Sequence, residues 1–142
     1  MEGGGRRGDR YYHGSDVHLI TITFMATFTK LPLSGSVNGR QIALSATGSL
    51  NANEIHTTPS GTTSIDEIWL YGYNDSTSSL MVTLLWGGVD DIVDAVRATI
   101  TPRTGRTLLV DGKVLQNGLS VRGYASISGS IMLDGYVNRM TY

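Results

Sequence analysis

The chain has 142 residues, a formal net charge of −1, 18 Gly and no Cys. That length suits one domain around one core. The near-neutral charge and scattered arginines exclude a basic, phosphate-tracking surface, so neither nucleic acid nor an anionic membrane is implied as a partner. The lack of Cys excludes disulfides, thiolate catalysis and Cys-ligated zinc.

Abundant Gly, Ser and Thr with scarce Lys and Glu disfavour helices and favour strands and turns. No apolar run approaches the roughly 20 residues of a membrane helix. Residues 1–24 lack the compact apolar segment and small-residue cleavage site of a signal peptide.

Taken in chain order, residues 1–16 (MEGGGRRGDRYYHGSD) are polar, glycine-rich and without period, as in a disordered arm. Residues 17–24 (VHLITITF) can form a strand. Met25 then opens MATFTK in the manner of an ordinary start. Two readings of 1–24 follow: an N-terminal arm reaching a neighbouring subunit, or sequence upstream of the true start.

Strands are expected from Phe28 onward. RQIALSA (40–46) follows the hairpin signal Asn38-Gly39, and NEIHTT (53–58) ends at Pro59. SIDEIWLYGYN (64–74) is the strongest, and LMVTLLW (80–86) is apolar on both faces. AVRATI (95–100) stops before Pro102, and TLLV (107–110) is expected to turn at Asp111-Gly112 into KVL (113–115). LSVRGYASI (119–127) and IMLDGYVNRM (131–140) complete the set.

Eight or nine strands at this spacing predict an all-β fold: an antiparallel sandwich or barrel over 25–142, with jelly roll and other Greek-key orders open. Alternation assigns Leu80, Val82, Leu84 and Trp86 to the core, with Ile68 and Leu70. It adds Ile131, Leu133 and Val137, and one face of the 119–127 strand: Leu119, Val121, Ala125 and Ile127.

The stretch WGGVDDIVDAV (86–96) places Asp90, Asp91 and Asp94 within five residues. It lacks EF-hand spacing, and paired glycosidase carboxylates face each other across a cleft rather than sharing a loop. A solvated turn over 87–93, with one helical turn open, is the expectation. An enzyme would need these carboxylates to meet His56, the one histidine outside 1–24. A surface or strand-edge position is expected for His56. No G-x-S-x-G elbow or phosphate loop occurs, and no catalytic residue, metal or cofactor is assigned.

Trp69, Tyr71 and Tyr73 alternate on the side of the 64–74 strand opposite Ile68 and Leu70. They are the candidate contact residues, for a protein interface or for stacking on a glycan. The competing role is to fill the second face of a sandwich core.

The order of features in 25–142 carries a resemblance. MATFTKLPLSGSVNGRQIALSAT is followed by IHTTPSGTTSIDEIWLYGYN, VTLLWGG, LLVDGKVLQNGLSVRGYA and DGYVNRM. DEIWLY, WGG and LQNGLSVR are the most telling pieces. The chain thereby resembles small all-β virion proteins of tailed bacteriophages. The resemblance implies assembly rather than catalysis: a head decoration (cement) protein, or a part of the neck or tail. Its implied partners are the major capsid protein or other virion proteins, and copies of itself, trimeric by analogy. Its implied location is the phage particle.

Overall fold

A computed structural model describes residues 25–142 together with Gly14, Ile20, Ile22 and Thr23. His13, His18 and most of the 17–24 segment lie outside the described residues, as does the expected arm.

Among the described residues nine strands follow in order: β1 (Thr27–Pro32), β2 (Ile42–Ala43), β3 (Asn53–Thr57), β4 (Ser64–Asn74), β5 (Leu80–Trp86), β6 (Ala95–Ile100), β7 (Thr107–Leu115), β8 (Ser120–Ala125) and β9 (Ile131–Thr141). They form two antiparallel sheets. One runs β1-β9-β4-β7, with β2 also on β9; the other runs β3-β8-β5-β6. The pairs β1/β9, β3/β8, β4/β7 and β5/β6 are all antiparallel neighbours. They nest from the chain ends inward, like one long hairpin rolled into two layers. This is a jelly-roll sandwich, not a closed barrel.

The core follows alternation along β4 and β9, while β5 is buried on both faces from Val82 to Trp86. In β4 the even-numbered residues Asp66, Ile68, Leu70, Gly72 and Asn74 are buried. In β9 the odd-numbered Ile131, Leu133 and Val137 face them, all fully buried. From the opposite sheet come Leu80, Val82, Leu84 and Trp86 of β5, with Val121 and Ala125 of β8. Burying an aliphatic side chain of this size contributes roughly 1.5–3 kcal/mol, so this stripe dominates the favourable side of folding.

Two expectations need correction. Leu119 and Ile127 are 45% and 49% exposed, because β8 ends at Ser120 and Ala125 and alternation lapses beyond it. Asp111-Gly112 does not turn the chain either, for β7 runs unbroken from Thr107 to Leu115. Gly112 has φ +83, and the β4–β7 register shifts between Ile68 and Trp69. That is a bulge, which takes up the left-handed residue without reversing the strand. The free edge of β7 is curved as a result.

Candidate functional site

Three places hold the chemically capable side chains: the acidic turn, a buried ionic group, and the outer face of the β4 sheet.

The acidic turn satisfies itself. Asp90 Oδ1 accepts from the backbone N–H of Ile92 at 2.7 Å and of Val93 at 2.9 Å. Asp94 Oδ2 accepts from Asp90 N–H at 3.0 Å, and Asp94 N–H donates to the Asp90 carbonyl at 3.1 Å, closing a single helical turn. Asp91 Oδ1 accepts from the Tyr124 hydroxyl at 2.6 Å, pinning the turn onto the outer face of β8. The N–H groups of Val93 and Ile92 hold the Asp90 carboxyl below the usual carboxylate range. The Tyr124 and Ser49 hydroxyls do the same for Asp91. Each carboxylate therefore has a structural partner within the turn or on β8.

His56 is not at the surface. It is 2% exposed and takes no part in the acidic turn. Its Nε2 lies 2.7 Å from Asp66 Oδ2, and its Nδ1 accepts from the Ser34 backbone N–H at 3.1 Å. An accepting Nδ1 fixes the neutral tautomer with its proton on Nε2, donated to Asp66. The β3 register shift between Glu54 and His56 explains the burial: Ile55 and His56 both turn inward.

Asp66 is completely buried and also receives Arg139, with Nε donating to Oδ1 at 2.7 Å and Nη2 to Oδ2 at 2.8 Å. Burial pushes the Asp66 carboxyl up. The hydrogen bonds from Arg139 and His56, with the charge of Arg139, outweigh it and hold the group below its ordinary value. The same contact raises Arg139. His56 lies on β3 and Asp66 and Arg139 on β4 and β9, so the group ties the two sheets together.

Asp66 and Arg139 were not anticipated from sequence. Their signal was parity: Asp66 shares the inward register of Ile68 and Leu70, and Arg139 that of Val137.

Trp69, Tyr71 and Tyr73 point outward from β4 and are half-buried. They do not fill the sandwich core. Neighbouring strands join them into one surface. Trp69 stacks with Tyr136 of β9, ring centroids 6.1 Å apart and planes at 11°. Its indole N–H donates to Glu67 Oε1 at 2.6 Å, and Asn138 Nδ2 reaches the same oxygen at 3.3 Å. Lys30 Nζ sits 3.9 Å from the Tyr136 ring centroid. The Arg106 guanidinium sits 3.9 Å over Tyr71 and pairs with Asp134 at 3.1 Å. Phe28, 73% exposed, lies on β1 at the rim of the same face. The result is a rigid aromatic plate with cations held against two of its rings.

Two shallow concavities adjoin at the end of the sandwich. One, of 410 Å³, is lined by Ile65, Val114 and Leu115 with Gln116, Asn117 and Leu119. The other, of 210 Å³, shares Leu119 and lies along Gly87–Val89 and Arg122. Neither is lined by His56, Asp66 or the acidic turn's carboxylates. Among the described residues, no group of three or more His, Asp or Glu side chains is arranged to hold a metal ion.

No protein-family model, curated protein or solved structure matches this chain.

Proposed function

We propose that this protein is a structural component of a tailed-phage virion, a head decoration (cement) protein that binds the major capsid protein through the aromatic outer face of the β4 sheet. It acts by binding energy alone, stabilising the state of the shell that presents its site. The carrying observation is the Trp69–Tyr136 stack with its flanking cations, on the two central strands of one sheet. Aromatic residues and Arg are the side chains that anchor protein interfaces, and central strands hold them rigidly. The jelly-roll order supports the reading by analogy of fold, since this architecture recurs in viral shells. So does the inward satisfaction of the buried ionic group and of the acidic turn, which leaves assembly as the simpler role.

Mass spectrometry and cryo-electron microscopy of purified particles test this reading. Many copies on the head are expected. Absence from the particle would end the proposal, and a few copies at the neck would move it to a head–tail part.

A second reading, a carbohydrate-binding module of a fibre or head surface, draws on the Glu67 and Asn138 polar groups beside Trp69. Against it, Lys30 and Arg106 already cover ring faces of Tyr136 and Tyr71 that a sugar would need. Glycan-array binding abolished by Trp69→Ala would favour it.

A further inference from the structure

Each sheet has two edges, and three of the four are blunted or covered. The outer edge of β3 is occupied by the β1–β2 connection: Gly35 N–H donates to the Ile55 carbonyl at 2.9 Å, and Thr57 N–H to Ser34 Oγ at 2.7 Å. The β7 edge is bent by the Gly112 bulge and carries Asp111 and Lys113. The β1 edge carries Lys30 and Pro32, both unfavourable to further pairing.

β6 carries one charge, Arg97, but no bulge or Pro, and among the described residues no segment pairs with its outer edge. It pairs with β5 in unbroken register from Leu80↔Ile100 to Leu85↔Ala95. Trp86 N–H donates to the Asp94 carbonyl in that same register, so hydrogen-bonded pairs alternate from there. Val96, Ala98 and Ile100 bond to β5, while the N–H and C=O groups of Ala95, Arg97 and Thr99 project from the open edge. Val96 and Ala98, on the inner side, are only half-buried although they pack against the core. The edge therefore exposes both a main-chain ladder and an unfinished strip of core.

We infer that β6 pairs with β6 of a second copy of this chain, antiparallel about a two-fold axis, joining the two β5 sheets into one continuous sheet across the dimer. A second copy fits because the strand is self-complementary in one particular register. Keeping inner residues opposite inner residues leaves two well-overlapped choices. One sets Arg97 opposite its own copy, placing like charges face to face. The other centres the axis on Ala98 and sets Arg97 opposite the partner's Thr99. The second is selected. Arg97 and Thr99 then exchange both backbone bonds on each side of the axis, about four in all. Val96 meets the partner's Ile100 on the inner side, which closes the half-buried strip.

The inference does not depend on shell binding, since purified protein alone should form the dimer. It also differs from the trimer that analogy with cement proteins suggested.

The register makes the test sharp, because Thr99 is exposed and stands directly opposite a cation only in the dimer; within one chain its cross-strand partner is Met81. Sedimentation equilibrium of the full chain should show a monomer–dimer transition. Thr99→Glu should tighten it and Thr99→Arg should weaken it, each by about 2- to 30-fold, from two symmetry-related charge pairs. Thr99→Pro, which removes an N–H that the monomer does not use, should abolish it. Circular dichroism and Tm should confirm that each variant is folded. A monomer at every concentration, a trimer, or a dimer insensitive to all three changes overturns the inference.

Discussion

His56 on β3 and Asp66 on β4 meet across the two layers, Nε2 to Oδ2 at 2.7 Å, both side chains sealed from water. This bond joins the sheets where an aliphatic pair would otherwise sit. Arg139 completes it from β9, and Ser34 fixes the ring from the β1–β2 connection. The group therefore specifies how two strands and one loop register against the opposite sheet.

Asp66→Ala should destabilise the fold by roughly 3–5 kcal/mol, because it strands Arg139 and a buried imidazole without their acceptor. The lower end is expected, since Arg139 keeps 25% of its side chain exposed and can rehydrate. Urea denaturation monitored by Trp fluorescence would measure it. A loss under about 1 kcal/mol would show that the tie contributes little.

Acid should unfold the protein partly through Asp66. Its native pKa lies below its ordinary 3.8, so the unfolded chain binds more protons in between. The stabilisation is fully present above pH 3.8 and is lost as pH falls through the lower native value. Asp90 and Asp91 shift in the same direction and add to this acid limb. Asp66→Asn should flatten the limb only in part, read as Tm against pH. An unchanged slope would remove Asp66 from the account.

Gly135→Ala should be far worse than its size suggests. Gly135 lies opposite Leu70 in the β4–β9 ladder, and an added Cβ would overlap the carbonyl oxygen of Trp69. Central strands cannot yield there without breaking pairing, so a loss of roughly 2 kcal/mol or more is expected. Gly39→Ala is the control. Open space surrounds that position, and only the φ of +81 opposes the change, at about 1 kcal/mol. Equal losses in the two variants would refute the close-approach argument.

Trp69→Ala should separate stability from attachment. The indole is half-buried and outside the core, so the fold should lose only about 0.5–1.5 kcal/mol from the stack with Tyr136, beyond lost area. Incorporation into particles should drop by tenfold or more, as for an interface anchor. Wild-type incorporation of the variant would relocate the contact surface.

Much of the sandwich was legible because alternation is a local signal. Ile68, Leu70, Val82 and Leu133 could be assigned inward from their spacing alone. The outward row of Trp69, Tyr71 and Tyr73 came from the same parity, but parity cannot say whether a second layer covers that face. The missed features depend on partners distant in sequence. Asp66 has a carboxylate's usual preference for water, and only Arg139 and His56 make its inward position tolerable. Gly112 after Asp111 has the local signature of a hairpin turn; only continued pairing with β4 turns it into a bulge. His56 is buried by a one-residue slip in β3, which no spacing rule reveals.

The nesting of strand pairs from the chain ends inward has a consequence during synthesis. β4 is flanked by β7 and β9, and β3 by β8, all made later than the strands they complete. An emerging chain holds the aliphatic and aromatic side chains of β4 without neighbouring strands until β7 to β9 have left the ribosome. Among the described strands, only the β5/β6 hairpin is local enough to close early. Thr27 cannot meet Thr141 until everything between them is in place. Slow translation should therefore favour aggregation over folding, and holding chaperones should raise the yield of native protein.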